Sequence, residues 1–410
     1  MVSPASGPST ASRRPPLEGI LVLDLSRVLA GPVTTMALAD MGARVIKVES
    51  PRGGDVTRQW TPPVHDGESA YFLSVNRRKE SVAVDLDTET GREFVRRWAR
   101  KADVVVENFL PGALASRGLS ADAMRAENPR LIVCTISGAG DAGPLASAPG
   151  FDLLAQGASG LMAITGPAGG EPHKVGVALA DVMTGWTALA AVLAALVARE
   201  RDGCGAHVKT DLFSSALSAL VNVAQNALVT GKEPARHGNA HPSIEPYRPF
   251  AASDAKFLVA VGTDAQFRRL AADVLHSAEL AQDRRFETSR GRIENREELV
   301  GILDALFSVE TRATWLDRCG RANIPAGPIA GVREALLSPQ AQAIGSVLVT
   351  TREGHAPVPT VRAPFRFLEF EEPAPLAPPR LDEDGDALFA EVGMKRTEAG
   401  EGTPSVPPTS

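Results

Sequence analysis

The chain has 410 residues, more than one ordinary core needs, so it implies two domains or one elaborated domain with a large interior. Hydrophobic residues at 44% and charged residues at 22% fit a soluble globular protein. A net charge of −6 argues against a nucleic-acid surface, and an anionic ligand would need cations gathered locally.

The three cysteines, Cys134, Cys204 and Cys319, are far apart and lack metal-ligand or redox spacing, which reads as buried thiols in a reducing cytoplasm. Residues 1–16 are rich in Pro, Ser and Ala without an apolar block, as in a disordered leader and unlike a signal peptide. The longest apolar run, Thr187 to Ala198, is too short to span a bilayer. A cytoplasmic protein with no membrane or nucleic-acid partner is the expectation.

Gly19 to Leu25 has a strand pattern, a helix is expected from Val33 to Met41, and Ala43 to Val48 forms a second strand. This strand, helix, strand succession is the βαβ signature of a parallel sheet. The alternation continues with a strand at Ser81 to Leu86, a helix from Thr90 to Ala102 and a strand at Asp103 to Glu107. A helix at Ala121 to Glu127 and a strand at Leu131 to Ile136 follow. Such repetition excludes all-β and all-α folds and predicts a doubly wound, Rossmann-like α/β domain.

The last of these strands runs into Gly138-Ala139-Gly140-Asp141-Ala142-Gly143, a literal G-x-G-x-x-G. A dinucleotide fingerprint requires a helix to start at those glycines, but Pro144 and Pro149-Gly150 follow. The glycines are better read as letting backbone approach another ligand closely.

Val175 to Leu179 reads as a short buried strand, and Trp186, Leu189, Ala190, Leu193, Leu196 and Val197 recur at helical spacing. Asp181 then falls at a strand-to-helix junction, where open α/β sheets place ligand chemistry and a helix dipole favours an ionised carboxylate. Two roles are open to it there: helix N-cap or nucleophile.

A further strand and helix run from Val208 to Leu228, and then the character changes. Residues 231–249 form a turn-rich loop carrying His237, His241, Tyr247 and Arg248, of the length that serves as a lid or linker. The i, i+4 spacing of His237 and His241 would suit a metal only on a helix, which the intervening Gly and Pro forbid, so no metal is expected. A smaller α+β unit follows, with a strand at Phe257 to Val261 and charge runs, Asp283-Arg284-Arg285 and Arg290 to Arg296, read as solvated helix faces. The boundaries are a leader at 1–16, a large domain at 17–229, a small domain at 230–330, a return segment at 331–394 and a disordered tail at 395–410.

Several motifs occur in a telling order. They are Leu17-Glu18-Gly19 with Arg27, Ala30, Gly31 and Pro32; Gly42 to Glu49 with Gly54-Asp55; and Asn76 to Ser81 with Asp85. Glu107-Asn108-Phe109 with Pro111-Gly112, Ser137-Gly138 with Gly143-Pro144, and Gly176 to Asp181 with Gly185 complete the series. In these the chain resembles the class III coenzyme A transferases, whose sister branch is the α-methylacyl-CoA racemases.

The resemblance implies that Asp181 forms covalent intermediates: its carboxylate attacks a thioester, a mixed anhydride forms, and the released CoA thiolate can return to give an aspartyl-CoA thioester. No prosthetic group is needed, and acyl-CoA and a carboxylic acid are the substrates. It also implies a CoA-binding set of Leu29, Ala30, Arg52, Lys79, Val84, Asp85, Leu86, Asn108, Phe109, Arg117, Ser137, Gly138, Ala139 and Gly140, and a homodimer of interlocked subunits. Departures from the oxalate-specific members, among them Leu29 and the Gly238 to Pro242 loop, argue against oxalate as acceptor. The cation and hydrogen-bond donors from His241 through Tyr247 to Arg248 suit a small dicarboxylate such as succinate. The racemases carry Gly-His-Asp where this chain has Gly150-Phe151-Asp152, and a phenylalanine cannot move a proton, which favours transfer over racemisation. A CoA-binding protein without catalysis is the reading from another class.

Overall fold

The computed structural model describes residues 13–396, so the leader up to residue 12 and the tail from 397 lie outside the described residues. Arg13 forms a parallel β-bridge with Phe370, so the part of the expected leader that is described is tied to ordered chain. The chain separates into two compact units, one built from the described parts of 1–159, 176–224 and 342–410 and the other from 160–175 and 225–341.

The first unit is organised by a six-stranded parallel sheet. Its strands are β1 (Leu21–Asp24), β2 (Arg44–Glu49), β3 (Lys79–Ala83), β4 (Val104–Glu107), β5 (Ile132–Ser137) and β6 (His207–Asp211), in the order β3-β2-β1-β4-β5-β6. The two-residue alternation of a strand decides which core each side chain enters. Val22, Val45, Val104, Val106 and Ile132 point to one core, and Leu23, Ile46, Val105 and Val133 to the other. Both faces are buried, as a parallel sheet requires. Helices α1 (Ala30–Asp40) and α6 (Leu179–Asp202) belong to the first core. Helices α3 (Glu89–Lys101) and α4 (Ala121–Glu127) cover the second face, together with the helix Gly385–Glu391. Helices α2 (Ala70–Val75), α5 (Asp152–Ala158) and α7 (Leu212–Ser218) lie near the ends of strands.

Strand β3 lies toward the N-terminal side of the expected span, because its partner β2 stops at Glu49, opposite Ala83. The Val84 N–H still donates to the Glu49 carbonyl at 2.8 Å, and Asp85 and Leu86 lie beyond the sheet. Val175 to Leu179, expected as a strand, is not one: Val177 is 52% exposed, and the Leu179 N–H already bonds the Val177 carbonyl. An extended segment without a neighbour to complete its backbone hydrogen bonds is not a strand.

Helix α6 has 24 residues and contains an 18-residue stretch of mean hydropathy 1.7, which makes it long and apolar enough by itself to cross a membrane although the expected apolar run within it is shorter. Its Ala180, Thr184, Ala188, Val192 and Ala195 face is buried in the core. It approaches α1 closely at Gly185: a Cβ there would lie 2.7 Å from the Ala30 carbonyl oxygen and 2.9 Å from Val33 Cβ. The Thr34 hydroxyl donates to the Gly185 carbonyl at 3.0 Å across the same contact.

The second unit has a three-stranded antiparallel sheet, β7 (Tyr247–Ala251), β8 (Lys256–Ala260) and β9 (Ala326–Pro328), with β8 central. Phe250, Phe257, Phe307 and Trp315 anchor its core with helices that include α8 (Ser289–Glu294), α9 (Arg296–Phe307) and α10 (Arg312–Arg321). Arg292 corrects the reading of that charge run as a solvated face, being 1% exposed and bonded through its guanidinium to the Glu245 and Phe286 carbonyls. Cys134 and Cys319 are buried as expected, but Cys204 is exposed.

Candidate active site

Asp181 lies inside the first turn of α6, two residues past its start, and not at a strand end. The N-cap residue of the helix, Ala178, provides no side-chain cap. The cap comes from α5: Asp152 Oδ1 accepts the Ala180 N–H at 2.8 Å and the Asp181 N–H at 3.3 Å. Free N–H groups at a helix start require such acceptors, and here a residue from another helix satisfies two of them. The Asp181 side chain is thus released from capping. Gln156, one turn along α5, donates to Asp152 Oδ2 at 2.7 Å and fixes the carboxylate.

Asp152 is held in place by a backbone crossing. A Cβ on Gly138 would sit 2.7 Å from Gly150 Cα, so the chain leaving β5 and the chain entering α5 touch at two glycines. Gly138, the first glycine of that stretch, therefore serves packing of backbone on backbone.

Burial, and after it the neighbouring Asp152 carboxylate, pushes the Asp181 carboxyl up to about 7. The expected dipole-stabilised anion is corrected accordingly, since desolvation outweighs the favourable helix end. The surroundings are apolar: Leu29, Val33 and Val75 form a cluster with Val28, Tyr71, Ala178, Val182 and Trp186. Tyr71 is pushed up to about 12 by burial and then by the Asp181, Asp152 and Asp55 carboxylates, so it is a phenol at any physiological pH. Its ring meets Trp60 edge-on at 4.9 Å. Trp60, Tyr71 and the capping role of Asp152 were not singled out from sequence. The first two sit in an irregular stretch without a motif, and a cap from a remote helix has no local signature.

A cavity of about 200 Å³ opens over the carboxyl ends of β1, β2, β3 and β4. Strand order reverses between β1 and β4, the switch point at which open α/β sheets bind ligands. Of the expected CoA-binding residues, Arg52, Val84, Asp85, Leu86, Phe109 and Arg117 line it, joined by Arg27. Arg52 pairs with Asp85 at 3.3 Å and Arg117 with Asp87 at 2.7 Å. Both are exposed pairs, of the weak kind that a phosphate can displace. Arg27 stacks on Phe109, 4.6 Å from its ring centre. Asn108 exchanges hydrogen bonds with the Arg27 backbone at 2.8 and 2.7 Å, holding the two loops together.

The other expected residues fall elsewhere. Leu29 lies in the apolar cluster beside α6, and Ala30 is buried at the start of α1. Ser137 and Gly140 line an adjoining cavity of about 330 Å³ that shares Phe109, with Gly138 and Ala139 between them in sequence. Lys79 requires a correction. It is fully buried, its ammonium bonded to Asp24 at 3.0 Å, to Asn76 at 2.8 Å and to the Pro32 carbonyl at 3.2 Å, so it cannot reach a phosphate in solvent. It belongs instead to a chain of buried ions beneath the cavity. Lys47 pairs with Asp55 at 3.0 Å, and Glu49 accepts from Arg58 at 2.8 Å and from Ser81 at 2.7 Å. Burial disfavours the charge on Asp24, but Lys79 and Lys47 overcome it and hold the carboxyl at about 2. The Asp55 carboxylate also accepts the Val28 N–H at 3.1 Å, fixing a β-branched residue at φ 70° directly before Leu29.

In the second unit, the His241 and Tyr247 rings meet at a tilt of 59° with centres 5.4 Å apart, and His241 Nδ1 accepts the Ser243 N–H. Arg248 lines a separate cavity with His237. Among the described residues no cluster of His, Cys, Asp or Glu could hold a metal.

A parallel α/β sheet with a cavity at its switch point, three arginines in the lining of that cavity, and a desolvated carboxylate at a helix start together form the frame of an enzyme site. The model of CoA-transferase family III matches residues 17–385, and the chain belongs to that family. It is a CoA transferase, acting between an acyl-CoA and a carboxylate. It is 42% identical over 391 residues to the succinate–glutarate CoA-transferase of Agrobacterium fabrum, covering 93% of this chain and 96% of that protein. It is 38% identical to the human succinyl-CoA:glutarate CoA-transferase over 92% of this chain and 86% of that one. The acetyl-CoA:oxalate CoA-transferase of Acetobacter aceti is 39% identical over 93% and 97%. The crystal structure of a CAIB/BAIF family protein from Brucella suis matches 93% of this chain and all of that chain with a TM-score of 0.84 at 42% identity.

Proposed function

We propose that this transferase exchanges CoA between short dicarboxylic acids of the succinate and glutarate type through covalent intermediates on Asp181. One observation carries the mechanism: Asp152 takes over the capping of α6, leaving Asp181 a poorly solvated carboxylate that titrates near neutrality. Such an anion is a reactive nucleophile. Asp181 attacks the thioester carbonyl carbon, the C–S bond breaks, and a mixed anhydride and CoA thiolate form. The thiolate attacks the Asp181 carbonyl of the anhydride, releasing the first acid and leaving an aspartyl-CoA thioester. The acceptor carboxylate attacks that thioester to give a second anhydride and thiolate. Attack of the thiolate on the acceptor's acyl carbon yields the new acyl-CoA and restores Asp181.

In this proposal CoA lies in the switch-point cavity, its phosphates drawing Arg52 and Arg117 away from Asp85 and Asp87. The dicarboxylate assignment is supported by two of the relatives at 38% and 42% identity. Phe151, at the start of α5, has no atom that transfers a proton, which supports transfer over racemisation. A homodimer is part of the proposal, supported by Leu153 and Leu154 on α5 and Val221, Leu228 and Val229, all more than half exposed.

Purified enzyme incubated with a panel of CoA thioesters and free acids, read by mass spectrometry, tests the substrate class. Exchange between succinyl-CoA and glutarate well above that with monocarboxylates is expected. A preference for oxalate or for branched lipidic acyl groups would refute the dicarboxylate assignment.

A further inference from the structure

The link from β1 to α1, residues 25–29, runs along the switch point and faces two environments. Arg27 lines the switch-point cavity and stacks on Phe109, whereas Leu29 belongs to the apolar cluster with Tyr71, Ala178, Val182 and Trp186, beside the helix that carries Asp181. Between them Val28 adopts φ 70°, a left-handed conformation that a β-branched side chain strongly disfavours. Val28 is thus where the chain turns from one environment to the other.

Side chains from neighbouring strands and loops hold this link. Lys47 on β2 donates to the Ser26 carbonyl at 2.9 Å, and Asn108 after β4 engages both backbone groups of Arg27. Asp55, in the loop after β2, accepts the Val28 N–H with both carboxylate oxygens, at 3.1 and 3.3 Å. Asp55 is itself fixed. It pairs with the Lys47 ammonium at 3.0 Å, both side chains being fully buried, and accepts from the Thr57 N–H and hydroxyl at 3.0 and 2.9 Å. Burial disfavours its charge, but Lys47 and the Thr57 donors outweigh burial and keep the carboxyl below its usual range. A charged acceptor, the stronger kind, therefore meets the N–H of the strained residue. On the α1 side, a Cβ on Gly31 would lie 2.2 Å from Ser26 Cβ, so the link has no room to relax in that direction.

We infer that Asp55 is a positioning residue for acyl transfer: by holding Val28 in its left-handed conformation it sets Arg27 in the cavity and Leu29 against the Asp181 helix in one fixed register. The inference rests on the reading of Asp181 as nucleophile and of the switch-point cavity as the CoA site, and adds the residue that ties the two together. Without the clamp Val28 relaxes to a negative φ, Arg27 and Leu29 swing from their places, and a bound thioester meets Asp181 displaced. Arg52 and Arg117 line the same cavity from other loops, so CoA still binds.

The test measures kcat and KM for the most active acyl-CoA donor in the wild type, Asp55→Ala, Asp55→Ala with Val28→Gly, and Val28→Pro, with circular dichroism at the assay temperature to verify the fold. In Asp55→Ala kcat should fall by about tenfold to a hundredfold, the effect of a small misplacement, while KM changes by less than about threefold. Glycine takes a positive φ without steric cost, so adding Val28→Gly should restore most of the lost kcat although Lys47 still lacks its partner. A loss that glycine leaves unrepaired would place the effect in the stranded lysine and overturn the inference. An unchanged kcat in folded Asp55→Ala, or a rise in KM alone, would overturn it too. Val28→Pro keeps the Lys47–Asp55 pair but removes the N–H and locks φ at about −65°, and should lower kcat in the same way. Full activity of that variant overturns the inference even if Asp55→Ala does not fold. Trapping Asp181 of the wild type as a hydroxamate, with donor and hydroxylamine, reads the nucleophile separately. Absence of the hydroxamate would end the covalent mechanism, while the glycine rescue still decides the role of Asp55.

Discussion

Asp152 caps the helix on which Asp181 stands, with one carboxylate oxygen 2.8 Å from the Ala180 N–H and 3.3 Å from the Asp181 N–H. Two acids that adjoin in space have divided the work that the sequence leaves to one. Asp152 supplies the acceptor that the helix start needs, which leaves the Asp181 carboxylate out of the capping, as the proposed nucleophile requires. The division makes the two roles separable by mutation.

Asp181→Asn should abolish transfer, with a loss on the order of a million-fold, as expected when a covalent nucleophile is removed. Because the cap belongs to Asp152, even Asp181→Ala should lower stability by less than the roughly 0.5–2 kcal/mol of a lost N-cap. Denaturant melts of both variants beside single-turnover assays check this. A folded Asp181→Asn protein with near-wild-type transfer would refute the mechanism.

Activity should rise with pH through the range around 7, as Asp181 loses its proton. The stability linkage has the opposite sign. The folded-state pKa lies above that of the unfolded chain, so the contribution to stability is fully present below about 4 and is lost as pH rises through 7. Asp152→Asn preserves an acceptor for the cap but removes the like charge, and should move the acid limb of the rate profile to lower pH. Burial, the larger cause, remains, so the limb should stay above the ordinary carboxylate range. An unshifted limb would show that the Asp152 charge has no influence on Asp181.

Lys79→Met should behave as a folding variant. It leaves Asp24 buried with one fewer partner, and breaking a buried ion pair costs about 3–5 kcal/mol. Thermal unfolding should shift accordingly. Restoration of wild-type stability by Asp24→Asn in the Lys79→Met background would locate the cost in the stranded carboxylate.

Arg117→Ala and Arg52→Ala should leave the melting temperature nearly unchanged, since exposed pairs contribute about 0–1 kcal/mol. They should raise the KM for acyl-CoA several-fold, more at low salt than at high salt. Salt-independent kinetics would argue that these side chains do not meet the CoA phosphates.

Gly185→Ala should destabilise by about 1–3 kcal/mol, because the added methyl would press on the Ala30 carbonyl and Val33 across the α1–α6 contact. The same push would displace the start of α6, so kcat should fall together with stability. A neutral effect on both would show that the helices separate freely at this point.

The parallel sheet could be read from sequence because both its faces are buried and its strands are short apolar runs between helical periods, as at Arg44–Glu49 and Val104–Glu107. Asp181 could be placed by its motif, yet its surroundings could not. Val175 to Leu179 has a strand's composition but no strand beside it. The cap on α6 comes from a residue 28 positions away, and no local pattern encodes that distance. Lys79 illustrates the same limit: a lysine in a loop motif and a lysine under a sheet look alike until Asp24 and Asn76 are seen around it. Arg292 shows the same limit, its guanidinium being held by the Glu245 and Phe286 carbonyls and by the Asp264 carboxylate inside the second unit.

The meeting of Gly138 and Gly150 closes residues 139–149 into a loop whose two ends are in contact. What happens along that loop is thereby uncoupled from where it returns. Changes in its length or composition cost little, because closure entropy grows only slowly with length, and the chain still re-enters α5 at the same point. The part of the stretch beyond the cavity-lining Gly140 and Asp141 is open to diversification, whereas either glycine of the crossing is not: a side chain at one collides with the backbone of the other, so neither can be relieved by changing its partner.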